Sequence, residues 1–222
     1  MNKFLVNSST QLAKGVSRRR LVAGGAVTGL AGALGFAALT KRPAQAGMMS
    51  SDAAMNDVEI LNGALYYEHQ AIWAYSAAAG ELSDSDVGQA VLNIALANQA
   101  DHMIHRDTLA QVIGDLGGMP VMAESSYDLS SYLERGDGGL DSDVNIAKLA
   151  LALETDAAIA YANEVARLMT PALVTAGASI AAAEASHATT IRAAFISLGM
   201  AIEYVPAAFV SADTRDQWVL KV

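Results

Sequence analysis

The amino-acid sequence predicts an all-α protein built around an antiparallel four-helix bundle. Of the 222 residues, 53% are hydrophobic, alanine is abundant, and only 4 prolines and 4 phenylalanines occur. This composition favours closely packed helices over a β-sandwich. Four long stretches carry apolar residues at helical spacing, and each is bounded by glycine, proline or helix-capping residues. The spacing of polar residues inside these stretches repeats once along the chain, which indicates two related helical hairpins.

The first predicted helix carries a carboxylate on its apolar face. It begins near Ser51, with Asp52 in its first turn, and ends at Ala79 before Gly80. Its inward face carries Leu61, Leu65, Glu68, Ile72, Tyr75 and Ala79 at steps of three, four or seven residues. Glu68 therefore points into the core. Burying a carboxylate without a partner costs several kcal/mol, so another part of the chain must supply that partner.

The second predicted helix runs from about Val87 to Leu116 and ends at the glycine pair that follows. Its predicted inward face carries Leu92, Ala95, Gln99, His102, Leu109, Ile113 and Leu116. His105 lies one turn beyond His102, close to the same face. Asp101 is about 100° away around the helix, and we interpret it as an acid on the solvated face.

A long connection separates the two predicted hairpins. Residues 117–140 are rich in glycine, serine and aspartate, and we predict a short helix within Tyr127–Glu134. So long a segment between helices is unusual unless it crosses the bundle. We therefore predict a crossover between the second and third helices of the bundle.

The third and fourth predicted helices are joined almost directly. The third begins at the caps in Asp141–Asp143 and runs to about Met169; the fourth starts at Thr170-Pro171 and ends at Gly199. Their inward faces carry Ala147, Leu151, Glu154, Ala158, Tyr161, Val165 and Leu168 on the third, and Leu173, Gly177, Ile180, Glu184, His187, Ile191 and Leu198 on the fourth.

The last residues, 200–222, read as an extension of the bundle. Asp213–Trp218 is long enough for one helical turn, and Phe209 and Trp218 are candidates for packing against the helices. The alternative is that this extension takes part in a dimer contact.

The N-terminus resembles a twin-arginine export signal. Arg18-Arg19 precedes an apolar run over residues 21–40, and Ala44-Gln45-Ala46 is a small-x-small cleavage sequence. We predict cleavage after Ala46 and a periplasmic or otherwise exported protein. The alternative is an uncleaved membrane anchor, because twenty residues can span a bilayer. The predicted units are therefore the leader (1–46), the bundle (47–199) and the C-terminal extension (200–222).

Charge and cysteine content exclude several functions. The leader holds 7 of the 14 Lys and Arg and none of the 23 Asp and Glu, so cleavage changes the net charge from −9 to −16. So acidic a chain repels nucleic acid and anionic membranes, and we expect neither a nucleic-acid partner nor stable membrane insertion after cleavage. The absence of cysteine excludes disulfides, thiolate metal sites and cysteine nucleophiles.

Both hairpins repeat the same polar residues. Glu68-x6-Tyr75 and Gln99-x2-His102 in the first are matched by Glu154-x6-Tyr161 and Glu184-x2-His187 in the second. The distance from the glutamate to the later pair is 31 residues in one hairpin and 30 in the other. In a four-helix bundle such matched positions converge at one depth. Carboxylate and imidazole ligands without thiolate suit iron(II), manganese or zinc rather than copper(I).

At these residues the chain resembles the ferritin-like superfamily of di-iron and di-manganese carboxylate proteins. That pattern has one glutamate on each of two helices and Glu-x-x-His on each of the other two. The resemblance covers roughly residues 52–198, and also suggests exported bacterial ferritin-like proteins with twin-arginine leaders. It implies a metal site of one or two iron or manganese ions held by Glu68, Gln99, His102, Glu154, Glu184 and His187. It also implies that Tyr75 and Tyr161 hydrogen-bond the carboxylates, and His105 is a further nitrogen donor nearby.

Gln99 departs from the pattern, since a neutral amide cannot bridge two cations as a carboxylate does. The site is therefore expected to bind one ion tightly, two unequally, or none. The first functional hypothesis is a metalloprotein that reacts with oxygen or peroxide in iron oxidation, peroxide removal or a catalase-like reaction. The second is a non-catalytic bundle with a degenerate site that serves in binding or stress protection. The default oligomeric state is a homodimer.

Overall fold

The computed structural model describes residues 51–222, and the fold is all-α. The predicted leader and its cleavage site lie outside the described residues. The long helices are α1 (Ser51–Ala79), α2 (Asp86–Asp115), α4 (Asp143–Val165) and α5 (Pro171–Ser197). Two short helices follow the second and the last of these, α3 (Ser130–Glu134) and α6 (Arg215–Trp218), with a 3-10 turn at Ala212–Thr214.

The four long helices form two hairpins, because α1 packs along α2 and α4 packs along α5. The hairpins contact each other through α1 with α4, and through α2 with both α4 and α5. Two apolar clusters lie at different heights of the bundle. One contains Leu61, Leu65, Leu109, Ile113 and Ile180, and the other contains Val91, Ile146, Leu151, Ile191 and Phe195. The all-α bundle is confirmed.

Capping residues determine where the helices begin. Ser85 accepts a hydrogen bond from the backbone N–H of Gly88 at 3.0 Å, and Ser142 caps α4 in the same manner. Helix α4 ends at Val165, four residues before the predicted Met169. The residues between α4 and α5 are held by α1, since the buried Asp57 accepts from the backbone N–H groups of Met169 and Thr170. This capping carboxylate is charge-matched to the N-terminus of α5.

The crossover lies along α1. Val121 donates its backbone N–H to Asn62 at 2.8 Å, and the Asn62 amide donates to the Met119 carbonyl at 3.2 Å. Further along, Tyr127 is buried against Tyr66 and Trp73. The short helix in this segment begins at Ser130 rather than at Tyr127.

The extension is attached to the crossover and to α4 by ion pairs. Arg215 binds Asp156 through two hydrogen bonds of 2.5 and 2.9 Å, and it donates to Asp137 at 2.7 Å. Trp218 is buried, but Phe209 is 74% exposed. The expectation that Phe209 packs on the bundle is wrong, because its ring is exposed; its backbone carbonyl accepts a hydrogen bond from the Trp218 indole N–H. Among the described helices, none has the length and apolar character needed to cross a membrane.

Candidate metal centre

Three carboxylates and three imidazoles meet inside the bundle, from all four long helices. They are Glu68 on α1, His102 and His105 on α2, Glu154 on α4, and Glu184 and His187 on α5. All are buried except His105, whose side chain is 14% exposed. Their donor atoms fall into two groups in which every atom lies within 4.8 Å of the others, and both groups contain His102 and Glu184.

Helix geometry explains the convergence. On α2 and on α5 the two donors are three residues apart and therefore share one face. His102 lies between the hairpins: Nδ1 is 2.7 Å from Glu68 Oε2, and Nε2 is 3.2 Å from Glu154 Oε1 and 3.8 Å from Glu184 Oε2. One imidazole thus touches carboxylates of three different helices.

His187 has an equally full environment. Its Nδ1 is 3.1 Å from Glu154 Oε2 and 3.1 Å from Glu184 Oε2, while its Nε2 is 3.2 Å from Asp101 Oδ2. The interpretation of Asp101 as a solvated-face acid is wrong. Helix α2 is turned so that Asp101 reaches α5, and its carboxylate fixes the orientation of the His187 ring.

Two buried atoms face each other without a hydrogen bond. His105 Nδ1 and Glu184 Oε1 are 3.1 Å apart, and among the described residues they are the buried side-chain atoms that lack a hydrogen-bond partner. The same nitrogen is 3.5 Å from Glu68 Oε1. Unpaired buried polar atoms are rare and call for a ligand or ion. Donor atoms about 3 Å apart match the separation of two ligands of a single cation, so the residues present fit a metal ion.

The two tyrosines connect the hairpins reciprocally. The Tyr75 hydroxyl on α1 donates to Glu154 Oε1 on α4, and the Tyr161 hydroxyl on α4 donates to Glu68 Oε1 on α1. Burial, together with the negative carboxylate beside each ring, raises the pKa of both phenols well above 10. Each hydroxyl therefore keeps its proton and remains a donor.

Gln99 does not join the centre. Its amide nitrogen donates to the Ile72 carbonyl at 2.9 Å and to Ser76 Oγ at 2.8 Å, on the flank of α1. The predicted inward position of Gln99 is wrong, because its amide is engaged by the flank of α1 and Asn98 lies on the buried face of α2 instead. The buried amide is Asn98, which donates to Tyr75 Oη at 3.0 Å and to Glu154 Oε1 at 3.3 Å.

The sequence contains a periodic pattern that predicts the burial of Asn98. The buried face of α2 follows alternating steps of four and three residues through Val91, Ala95, Asn98, His102, His105 and Leu109. In this register the i, i+3 pair is His102-x2-His105, and it faces Glu184-x2-His187 on α5. His102 thus occupies the place in which the pattern of two Glu-x-x-His pairs has a glutamate.

The charges of the centre are balanced internally. Burial raises the pKa of Glu68, but the hydrogen bond from His102 and the positive charges of His102 and His105 outweigh it and bring the value to about 2. Burial lowers the pKa of His105, yet the carboxylates of Glu184 and Glu68 raise it to about 9. For His187, the charge of Glu154 and the hydrogen bond to Asp101 likewise overcome burial and raise the pKa to about 12. Without a cation, protonated imidazoles balance the carboxylates, so a metal ion must displace protons.

A cavity of about 210 Å³ lies between α1 and α4 and reaches the centre. Its polar lining includes His102, Glu154 and Tyr75. Its walls are mainly small or apolar, including Ala71, Ala74, Leu153, Ala157 and Ala160. The small side chains leave room for an uncharged molecule of several heavy atoms beside the buried donors.

The chain is similar to known proteins in sequence pattern and in fold. A family model described as "Ferritin-like domain" matches residues 56–197. No curated protein matches the chain in sequence. The crystal structure of a conserved hypothetical protein, rv2844, from Mycobacterium tuberculosis is similar with a TM-score of 0.55 and 23% sequence identity, over 72% of this chain and 99% of that chain. That likeness concerns the fold alone. Because the family model matches more than half of the 222 residues, the chain belongs to the ferritin-like domain family.

Proposed function

We propose that this protein is an exported metalloprotein that binds iron or manganese at the centre of the bundle and reacts with oxygen or peroxide. The single observation that carries the proposal is the buried set of three carboxylates and three imidazoles, in which His105 Nδ1 and Glu184 Oε1 face each other without a hydrogen bond. Oxygen and nitrogen donors without thiolate suit these metals.

The residues of the chain have distinct tasks in this proposal. The carboxylates of Glu68, Glu154 and Glu184 would hold the metal and offset its charge. The tyrosine hydroxyls donate to Glu68 and Glu154, and Asp101 orients His187, so the ligands are positioned before a metal arrives. A bound iron or manganese ion would supply the one-electron redox chemistry that the side chains lack.

The cavity between α1 and α4 supports a small neutral oxidant as the second reactant. Its walls are mainly apolar, and they suit oxygen or peroxide better than a charged substrate. It leads to the sides of His102 and Glu154, so a molecule in the cavity would meet the donor set directly.

Export through the twin-arginine pathway rests on the leader sequence. Arg18-Arg19, the apolar run and the Ala44-Gln45-Ala46 cleavage sequence support it. A route that carries folded proteins fits a buried site, because the metal can be loaded before the bundle leaves the cytoplasm.

One purification tests both statements. The protein is isolated from the exported fraction of its native host, its N-terminal residue is identified by mass spectrometry, and its metal content is measured. We expect Gly47 at the N-terminus and stoichiometric iron or manganese. In the Glu184→Ala variant the metal is expected to be lost, whereas Gln99→Ala is the matched control and retains it. Metal-free wild-type protein, or equal metal content in both variants, would contradict the metal proposal.

A second candidate is a non-catalytic bundle that serves in binding or stress protection. It is favoured by the internal charge balance, because protonated histidines satisfy most carboxylate oxygens without any metal. This candidate predicts metal-free protein from the native host, and a folded stability that chelators do not change.

A further inference from the structure

The two groups of donor atoms in the centre are not equivalent. Each group contains four residues, and His102 is common to both. We assign His102 to the group of Glu154, Glu184 and His187, because its Nδ1 is engaged by Glu68 Oε2 and its Nε2 faces that group. This defines a four-donor position of His102 Nε2, Glu154, Glu184 Oε2 and His187 Nδ1, and leaves a three-donor position of Glu68 Oε1, Glu184 Oε1 and His105 Nδ1. Glu184 belongs to both, with one oxygen facing each. No other carboxylate among the described residues faces both positions.

The four-donor position has the dimensions of a complete ligand set. Its histidine nitrogens lie 3.1, 3.1, 3.2 and 3.8 Å from the nearest carboxylate oxygens. Ligands bound tetrahedrally at about 2.0–2.2 Å lie about 3.3–3.6 Å from one another. Small adjustments of the side chains are therefore enough to enclose a divalent ion.

Both histidines of this position are oriented by a carboxylate behind them. His102 Nδ1 lies 2.7 Å from Glu68 Oε2, which leaves Nε2 for the ion. His187 Nε2 lies 3.2 Å from Asp101 Oδ2, which leaves Nδ1. Such carboxylate–histidine pairs hold the tautomer and the ring orientation that a metal ligand needs.

The three-donor position is poorer in ligands and in charge. Because His102 is engaged with Glu68 through Nδ1, this position has one histidine and shares one of its two carboxylates with its neighbour. Three carboxylates leave a net charge of −1 after one divalent ion and +1 after two. A pattern with four glutamates balances two divalent ions completely. The first ion meets a net charge of −3 and the second only −1, so the second ion is attracted less strongly and leaves an excess positive charge inside the bundle.

We infer that the centre loads in two unequal steps, in which a first divalent ion occupies the four-donor position and a second binds the three-donor position at least about tenfold more weakly. The cause is His102, which stands where a second bridging glutamate would stand. This inference rests on the proposed metal binding, and it specifies which residues hold which ion.

The test is a calorimetric titration of the metal-free protein with Mn²⁺. Wild-type protein is expected to bind two ions in steps at least tenfold apart in affinity. His105→Ala should abolish the weaker step and leave the first within about threefold, whereas His187→Ala should abolish the tight step. Gln99→Ala is the matched control with both steps intact, and circular dichroism verifies the helical content of every variant.

His102→Glu sharpens the test by supplying the missing carboxylate. It should strengthen the second step by at least tenfold, because four carboxylates then balance two ions. Two steps of equal affinity in the wild type, or loss of the tight step in His105→Ala, would overturn the inference and leave the proposed function standing. Absence of Mn²⁺ and Fe²⁺ binding in folded wild-type protein would overturn both.

Discussion

The two hairpins share one geometry and differ in charge. Each places a glutamate on its first helix, a tyrosine seven residues later, and an i, i+3 donor pair on its second helix. The pair is His102 and His105 in α1–α2, but Glu184 and His187 in α4–α5. One half thus brings one carboxylate and two imidazoles, and the other brings two carboxylates and one imidazole. With the imidazoles protonated in the metal-free protein, the donor set of α1–α2 is net positive and that of α4–α5 is net negative. The proposed metal ligands therefore also hold the two hairpins together.

The largest expected effect comes from removing the carboxylate with the most partners. Glu154 accepts hydrogen bonds from four side chains. Tyr75, Asn98 and His102 belong to the other hairpin, and His187 belongs to α5 of the same hairpin. We expect Glu154→Ala to lower the free energy of unfolding of the metal-free protein by about 3–5 kcal/mol, because buried partners lose their counter-charge. Glu68→Ala should cost less, since one of its two histidines, His105, is partly exposed. Urea unfolding with a chelator present measures both. An equal or larger loss of unfolding free energy in Glu68→Ala would contradict the expected difference between the two glutamates.

The next effect concerns pH. The contribution of Glu68 is present above its ordinary pKa of 4.5 and is lost as the pH falls towards about 2. The contribution of His105 is present below its ordinary pKa of 6.5 and is lost as the pH rises to about 9. The metal-free protein should therefore be most stable between about pH 4.5 and 6.5.

The pKa of His187 is raised further, to about 12, so the positive charge of this imidazole persists to a higher pH than that of His105. His105→Gln should reduce the slope of unfolding free energy against pH by about 1.4 kcal/mol per pH unit between pH 6.5 and 9. Above pH 9 the slopes of variant and wild type should coincide. Chemical unfolding at a series of pH values measures this, and identical slopes below pH 9 would show that His105 is not protonated in the fold.

The smallest expected effect is the difference in stability between variants of the two tyrosines. Tyr75→Phe and Tyr161→Phe each remove a hydrogen bond to a buried carboxylate, and we expect losses of about 1.5–3 kcal/mol in the metal-free protein. Tyr75→Phe should be the more destabilising of the two, because Asn98 Nδ2 also loses its 3.0 Å contact with that hydroxyl. Thermal unfolding of both variants is the measurement. A greater loss for Tyr161→Phe would contradict this order and would show that the 3.3 Å contact with Glu154 Oε1 is enough to satisfy the Asn98 amide.

The bundle was predictable because its signals are local and strongly periodic. The seam that runs through Leu61, Leu65 and Glu68 fixes the inward face of α1, and Ser142 and Pro171 mark the starts of α4 and α5. The duplicated spacing also located Glu154 and Glu184 correctly at the centre. These positions follow from helical periodicity, which requires only the sequence.

The details that failed depend on the rotation of one helix and on competition for hydrogen bonds. The spacing of Gln99 before His102 equals that of Glu184 before His187, but α2 is rotated and buries Asn98 instead. That rotation also moves Asp101 to His187. The apolar ring of Phe209 suggests that it packs in the core, but Trp218 contacts the backbone carbonyl of Phe209 through a hydrogen bond, and the ring remains exposed. Pairwise spacing within one helix cannot specify such choices between neighbouring residues.

The reciprocal tyrosines have a consequence for the two halves taken separately. The tyrosine of each hairpin donates its hydroxyl to the glutamate of the other, so neither hairpin alone satisfies its buried carboxylate. An isolated hairpin would leave its buried glutamate without a tyrosine donor, which only the other hairpin supplies. Two fragments produced by a cut within the segment that joins the halves should therefore reassociate through the same exchange.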